Sequence, residues 1–218
     1  NEGLTTSKTQ FDVVTYTGDG GSSRSIDSLS FQPDLVWIKA RNAAYSNHFY
    51  DSVRGVTKRL RSDQTAAEST KSGVTSFDSD GFTLGADTGP GSQSFNYYTD
   101  KHVAWVWKAG GSASTISINS VSSGVPSIAA SVSANTTSGF SIVGYTGTGS
   151  AGTIGHGLSN APEYIIVKNR DDGSKNWNVY ATVLGNNYLE LNETTATFSG
   201  STYFNNTAPT ANVFSVGS

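Results

Sequence analysis

The feature that most constrains this chain is an internal repeat with an offset of 129 residues. The matched segments are 11–18 (FDVVTYTG) with 140–147 (FSIVGYTG), 33–39 (PDLVWIK) with 162–168 (PEYIIVK), and, at an offset of 132, 82–85 (FTLG) with 214–217 (FSVG). Because chance does not hold one register over so many positions, the repeat predicts two copies of one fold.

Each copy is built from short segments with the periodicity of β-strands. Residues 11–16 alternate between two faces, and the apolar runs 35–38 and 164–167 are typical of central strands covered on both faces. A turn signal in 76–84 separates two short strands, and the aromatic segment 103–107 closes the first copy. The 24 Gly and the 10 Phe, 10 Tyr and 4 Trp residues suit tight turns around an aromatic core. We therefore predict an all-β protein with two tandem antiparallel β-sandwich modules, jelly-roll-like in type.

The repeat also predicts domain boundaries. They are an N-terminal extension at 1–10, a first sandwich at 11–110, a Gly/Ser/Ala-rich exposed connector at 111–138 and a second sandwich at 139–218. Within the connector, 116–118 and 125–128 are candidates for short edge strands. The second copy has no counterpart of the aromatic strand, so we expect its last strand to be missing, either because the chain is truncated or because another chain supplies it.

Charge and composition exclude several classes of function. The net charge of −3 and the scattered Lys and Arg residues argue against nucleic acid as a partner. One basic cluster, Arg54, Lys58, Arg59 and Arg61, is accompanied by Asp51, Asp63 and Glu68, which predicts a neutralised surface. The sequence has no Cys, and no segment has the ~18 apolar residues of a membrane span. We expect no disulfide, no thiolate metal site and no membrane insertion.

No motif with a catalytic or metal-binding spacing is found. The three His residues, His48, His102 and His156, are far apart, and the segment 78–81 (DSDG) is better explained as a hairpin turn than as a calcium loop. Two carboxylates that are close in space, such as those of Asp51 and Asp78, stay an open hypothesis for the catalytic pair of a glycoside hydrolase. We predict a protein without catalytic residues, metal or cofactor.

Carbohydrate binding has more support, because aromatic rings stack on sugars. The candidate residues are Tyr45, His48 and Tyr50 in the first copy, beside Asn47, and Trp177 and Tyr180 in the second copy, beside Asn176. The alternative is that these residues form the buried face of a strand. Both interpretations stay open at this point.

Several phrases together resemble a known family. They are 31–39, 50–55, 77–82 and 103–110 in the first copy, and 133–135, 139–147, 155–158 and 165–170 in the second. They resemble a tandem repeat module of bacteriophage virion structural proteins of the cyanophage or marine-phage type. The resemblance implies a tail-fibre or appendage protein without an assigned catalytic residue. In that family the second module normally ends with another aromatic strand, from which this sequence departs.

These observations leave four functional hypotheses. The first is a particle building block located in the virion, whose partners are other virion proteins and copies of itself. A capsid decoration protein, with residues 1–10 lying across neighbouring shell proteins, is the second. The third is a host-surface adhesin that binds glycan. The fourth is a polysaccharide depolymerase.

Overall fold

The computed structural model describes residues 9–87, 94–120 and 125–218. The predicted all-β class is confirmed, because the described residues form eighteen strands, every named pairing is antiparallel, and the same residues contain no α-helix, with a short 3₁₀ turn at Thr182–Leu184. The chain divides into two compact units. Unit 1 contains Asn1–Ala109 and Arg170–Ser174, and unit 2 contains Gly110–Asn169 and Lys175–Ser218. Most of the predicted extension at 1–10 lies outside the described residues.

Unit 1 has nine strands in two sheets. They are β1 (Phe11–Thr17), β2 (Ser23–Ile26), β3 (Leu35–Ala40), β4 (His48–Asp51), β5 (Lys58–Arg61), β6 (Ser69–Thr70), β7 (Val74–Asp78), β8 (Gly81–Gly85) and β9 (Lys101–Trp107). The larger sheet has the order β1-β9-β3-β4-β5-β6, and the smaller has the order β2-β8-β7. The larger sheet therefore has β1 and β6 at its edges.

The two sheets of unit 1 share one apolar core. Val36 and Ile38 of β3 are fully buried, as expected for a central strand, and they pack in one cluster with Phe82 and Leu84 of β8. Side chains from both sheets thus meet face to face, which is the arrangement of a β-sandwich. The predicted hairpin between β7 and β8 is also confirmed, with Asp78 paired to Gly81.

The last strand of unit 1 in sequence lies inside its larger sheet. β9 pairs antiparallel with β1 on one side and with β3 on the other. Its alternation places Ala104 and Val106 in the core, while Trp105 and Trp107 point to the opposite face. The aromatic strand predicted from 103–107 is therefore the strand that joins the two ends of unit 1.

Unit 2 also has nine strands. They are β10 (Ser114–Ile116), β11 (Ala130–Asn135), β12 (Phe140–Tyr145), β13 (Gly152–Gly155), β14 (Tyr164–Lys168), β15 (Trp177–Ala181), β16 (Asn187–Glu190), β17 (Phe198–Ser199) and β18 (Val213–Val216). They form sheets of order β10-β11-β12, β13-β18 and β14-β15-β16-β17. Ile154 and Phe214 belong to the same apolar cluster as Ala130 and Val132, so different sheets contribute to the core.

The segment predicted as an exposed connector, 111–138, differs from that prediction. It contains β10 and β11, and β11 pairs along its whole length with β12. Ala130 and Val132 are buried in the core of unit 2, and Ile128 is buried beside them. Among the many Ser and Gly residues of this segment, apolar residues occur at every second position of β11. This spacing is typical of a half-buried strand.

The strand pairings of the two units follow the sequence repeat. β3 to β6 and β14 to β17 are each joined in consecutive order, and β2 pairs with β8 as β13 pairs with β18. Individual residue pairs recur as well: Ile26 lies opposite Phe82, and Ile154 lies opposite Phe214. These registers support a duplicated framework.

β14 departs from the prediction of a central strand. Among the described strands it pairs only with β15, whereas β3 has β9 and β4 as neighbours. The same apolar pattern therefore predicted a central strand correctly at 35–38 but not at 164–167. Sequence periodicity reports which residues favour burial, and it does not report whether a neighbouring strand is present.

We predict that Phe82→Ala destabilises unit 1 by about 3–5 kcal/mol, because a fully buried ring would leave a cavity between the sheets. Urea denaturation monitored by tryptophan fluorescence measures this change. Val13→Ala, at a residue that is 45% exposed, is the control and should change the free energy of unfolding by less than about 0.5 kcal/mol. Equal effects of the two substitutions would contradict the assigned core.

Candidate functional site

Four of the five residues considered for carbohydrate binding lie in the interior. His48 and Tyr50 are buried in unit 1, and Trp177 and Tyr180 are buried in unit 2. Tyr45 is half-buried, and its carbonyl accepts a hydrogen bond of 2.8 Å from Lys39 Nζ. Burial favours the core-packing interpretation for the first four. A glycan contact at these positions stays a prediction.

His48 and Tyr50 belong to a buried group that we call the histidine cluster, defined as His48, Tyr50, His102, Tyr16 and Phe95. The ring of His102 stacks on that of Tyr16 at 5.0 Å, and the edge of the His48 ring meets Phe95 at 6.1 Å. The Tyr16 hydroxyl donates a 2.6 Å hydrogen bond to the carbonyl oxygen of Phe95. Neither ring nitrogen of His48 has a hydrogen-bond partner among the described residues. The imidazole rings of the histidine cluster are therefore packed against aromatic rings in the interior.

Burial controls the protonation of the histidine cluster. Burial, together with the smaller effect of the positive charge of Arg59, lowers the pKa of His48 from 6.5 to about 3. The pKa of His102 is also lowered by burial. Both rings are consequently neutral near pH 7 and contribute packing to the core of unit 1.

A set of carboxylate and amide contacts holds the loop before β9 against the histidine cluster. One oxygen of Asp87 accepts hydrogen bonds from the backbone amides of Phe95 and Asn96, at 2.8 and 2.9 Å. The Asn96 side chain donates to Asp19 at 3.0 Å, which links this loop to the turn after β1. The buried polar groups here orient β9 before it enters the sheet.

Within the basic cluster of the sequence, ion pairs with the accompanying carboxylates are formed by Arg54. Arg54 forms ion pairs with Asp51 and, at 3.1 Å, with Glu68. Glu68 also accepts a 2.9 Å contact from Arg170, which clusters with unit 1. Arg59 donates to the hydroxyl of Ser69. The two carboxylates thus neutralise the charge of Arg54 within the segment 54–61.

The carboxylates left open as a hydrolytic pair have separate partners. Asp51 holds Arg54, whereas Asp78 accepts hydrogen bonds from the hydroxyls of Ser76 and Thr83. Across the described ranges, no three His, Asp or Glu side chains are placed to hold a metal ion. In the same ranges no helix has the length and apolarity to cross a membrane.

A row of apolar side chains lies on the outer side of the larger sheet of unit 1. We call it the aromatic face, defined by Phe11, Trp37, Phe49, Trp105 and Trp107. Trp105 lies opposite both Val13 and Trp37, and Trp37 lies opposite Phe49, so one row crosses four neighbouring strands. At a strand spacing of about 4.8 Å, this row is about 14 Å long.

The rings of the aromatic face contact one another and stay half-buried. Trp37 lies 5.3 Å from Phe49 and 5.8 Å from Trp105, and Phe11 lies 4.9 Å from Trp107. None of these five residues is in the fully buried class. Rings held by their neighbours lose little conformational entropy when they bind, which suits a contact surface for protein or sugar.

The sequence identified the strands of the aromatic face but not the face itself. Trp105 and Trp107 are two residues apart, so strand alternation places them on one side. Trp37 lies beside Trp105 because β9 pairs with β3. These two strands are far apart in the chain. Alternation alone does not specify which strands are neighbours.

We predict that the histidine cluster makes unit 1 sensitive to acid. The folded pKa of His48 is lowered, so its contribution to stability is complete above pH 6.5 and is lost as the pH falls toward 3. Within this range each pH unit should cost about 1.4 kcal/mol for this one group. The measurement is the free energy of unfolding of the native chain and of His48→Leu between pH 7 and pH 4. A slope that is unchanged by the substitution would contradict the assigned burial.

Comparison with known proteins identifies a family. The model of a domain of unknown function (DUF7483) matches residues 6–218, and thus extends over both units. No curated protein and no solved structure matches the chain. Because the match covers nearly the whole sequence, the chain belongs to the DUF7483 family.

Proposed function

We propose that this chain is a structural protein of a bacteriophage particle, located in a tail fibre or another appendage. It contributes to particle architecture and to host attachment, and it acts without catalysis. Its partners are other virion proteins and copies of itself.

The first support for this proposal is the sequence. The phrases in both copies resemble the repeat module of phage virion proteins, and the quoted segments extend from 31 to 170. In the structure, β3 to β6 and β14 to β17 are joined in the same consecutive order, and β2 pairs with β8 as β13 pairs with β18. A duplicated framework suits an appendage, where many weak contacts add through high effective concentration.

The observation that carries the proposal is the aromatic face. Its rings are held in a fixed row on a central part of the sheet, and they are half-buried instead of fully enclosed. Aromatic side chains are enriched at protein interfaces, where they supply large contact area at low entropic cost. We assign the aromatic face as the surface by which unit 1 contacts a neighbouring virion protein.

Immunogold electron microscopy of purified particles of the phage that encodes this chain tests the proposal. Antibody raised against the purified chain should label the tail or its fibres. Label restricted to the head would favour the capsid decoration alternative, and particles without label would contradict a virion role. An irrelevant antibody of the same class is the control.

The aromatic face also favours a second candidate function, that of an adhesin for host-surface glycan. Aromatic rings stack on the apolar faces of sugars, and the three rings of this row, Trp105, Trp37 and Phe49, span about 10 Å across three strands, enough for about two sugar units. Depolymerase activity has less support, because the contacts of the described residues do not place two carboxylates on opposite sides of a cleft.

We predict that Trp105→Ala separates these two functions. If the aromatic face is a protein contact, the substitution reduces incorporation into particles, measured by immunoblot of purified virions, and leaves glycan-array binding unaffected. An adhesin would instead assemble normally and lose glycan binding. Tyr98→Ala, at a ring that is 65% exposed and lies outside the aromatic face, is the matched control. Equal effects of the two substitutions in both assays would contradict a role for the aromatic face.

A further inference from the structure

The larger sheet of unit 1 carries positive charge beside the aromatic face. Strand alternation places Lys39 on the same side as Trp37, and Lys101 on the same side as Trp105. The backbone amide of Arg41 donates a 2.6 Å hydrogen bond to the carbonyl oxygen of Lys101, so these two residues are adjacent. We call this set the basic border, defined by Lys39, Arg41 and Lys101.

The described residues of unit 1 do not neutralise the basic border. None of its three side chains forms an ion pair with a described residue. The Lys39 ammonium donates a 2.8 Å hydrogen bond to the carbonyl oxygen of Tyr45, which carries no charge. On the outer side of β1, β9, β3 and β4 the single carboxylate is that of Asp51, and it pairs with Arg54. The aromatic face is therefore bordered by positive charge.

The smaller sheet carries negative charge on the side that faces away from the core. Thr83 points outward, because its two neighbours in β8 belong to the core. Its hydroxyl donates a 2.8 Å hydrogen bond to Asp78, which places this carboxylate on the same outward side. Asp80 is exposed in the turn between β7 and β8, and Asp27 is exposed directly after β2. We call this set the acidic border, defined by Asp27, Asp78 and Asp80.

The acidic border also forms no ion pair with a described residue. The strands of the smaller sheet contain one cation, Arg24. Its guanidinium pairs with Asp19 at 3.1 Å and lies 5.6 Å from the ring centre of Tyr16, a residue of the core. The two outer sides of unit 1 consequently have opposite charge.

We propose that unit 1 binds a second copy of this chain through these two sides. The aromatic face and the basic border of one copy lie against the acidic border of the next copy. Attraction between unlike borders sets the direction of the contact, and the rings pack on small side chains of the smaller sheet, Ser25, Ser76 and Thr83. The inference rests on the proposed function, in which the aromatic face is a protein contact, and it identifies the neighbouring virion protein as a second copy.

Charge favours this contact over the pairing of two aromatic faces. Two such faces would bring together two basic borders, and neither would offer an unpaired carboxylate to the other. A contact between unlike sides instead leaves one unoccupied side of each kind on the resulting pair of copies. Such a heterologous contact adds further copies and does not close as a two-fold symmetric dimer.

The size of the contact predicts that it is weak. The strands β1, β9, β3 and β4 together span about 19 Å, and β9 is about 20 Å long. The contact area is therefore about 400 Å² on each copy, below the ~800 Å² per partner of a stable complex. Repeated copies in one appendage would add such weak contacts through high effective concentration.

Sedimentation velocity of the purified full chain, at concentrations up to about 1 mM, measures a contact of this weakness. At low salt we expect association that increases with concentration and continues beyond a dimer. Because exposed ion pairs are screened by salt, about 0.5 M NaCl should weaken the association. A chain that stays monomeric over the whole range, or that stops at a dimer, would overturn the proposal.

Charge reversal tests the two borders separately. Arg41→Glu with Lys101→Glu makes the basic border net negative. Asp27→Lys with Asp80→Lys makes the acidic border net positive. Each double variant should weaken association at least about tenfold, because it brings like charges together. The variant with all four substitutions joins unlike borders again and should recover association. Lys175→Glu, at an exposed residue outside both borders, is the control and should leave association unchanged.

Circular dichroism checks the folding of each variant, and Lys101→Glu or Asp80→Lys alone replaces a double variant that does not fold. Association that neither double variant weakens, or that the combined variant does not recover, would overturn the proposal. If immunogold labels the tail and the chain does not associate in solution, the proposed function stands and this inference fails. If the chain associates in solution and is absent from particles, the proposed function fails instead.

Discussion

The pairing of β9 with both β1 and β3 is the interaction on which unit 1 depends. It joins residues 11–17 to 101–107, so the two ends of the unit are held in adjacent positions of one sheet. The same strand supplies Ala104 and Val106 to the core and Trp105 and Trp107 to the aromatic face. One strand therefore determines both the stability of the interior and the chemistry of the surface.

The core that β9 completes contains imidazole and phenol groups as well as apolar side chains. Burying such groups without hydrogen bonds costs free energy, and His48 and the hydroxyl of Tyr50 have no hydrogen-bond partner among the described residues. The close approach of Gly73 shows how tightly this space is used, since a Cβ at that position would overlap the Tyr50 ring. Aromatic packing around the two histidines offsets this cost near neutral pH, where both are neutral.

Sequence reasoning was most successful where local patterns decide the outcome. Alternation at 11–16 predicted that Val14 and Tyr16 share one side of the strand, and this side faces the core. The segment Asp78 to Gly81 predicted a hairpin. It was less successful where distant pairing decides the outcome. The apolar runs at 35–38 and 164–167 are equivalent in sequence, yet only the first has strands on both sides among the described residues. The polar composition of 111–138 likewise concealed β11, because two buried small side chains there give only a weak signal.

Residue-resolved hydrogen exchange, measured by NMR on the full chain, tests the central claim that β9 pairs with both β1 and β3, whereas β14 has one paired edge among the described residues. In β3, the amides that face β9 and those that face β4 should all exchange slowly, because both edges are paired. In β14, the amides that face β15 should exchange slowly, and the alternate amides within 164–167 should exchange rapidly. Slow exchange of every amide within 164–167, in the chain alone, would contradict the account.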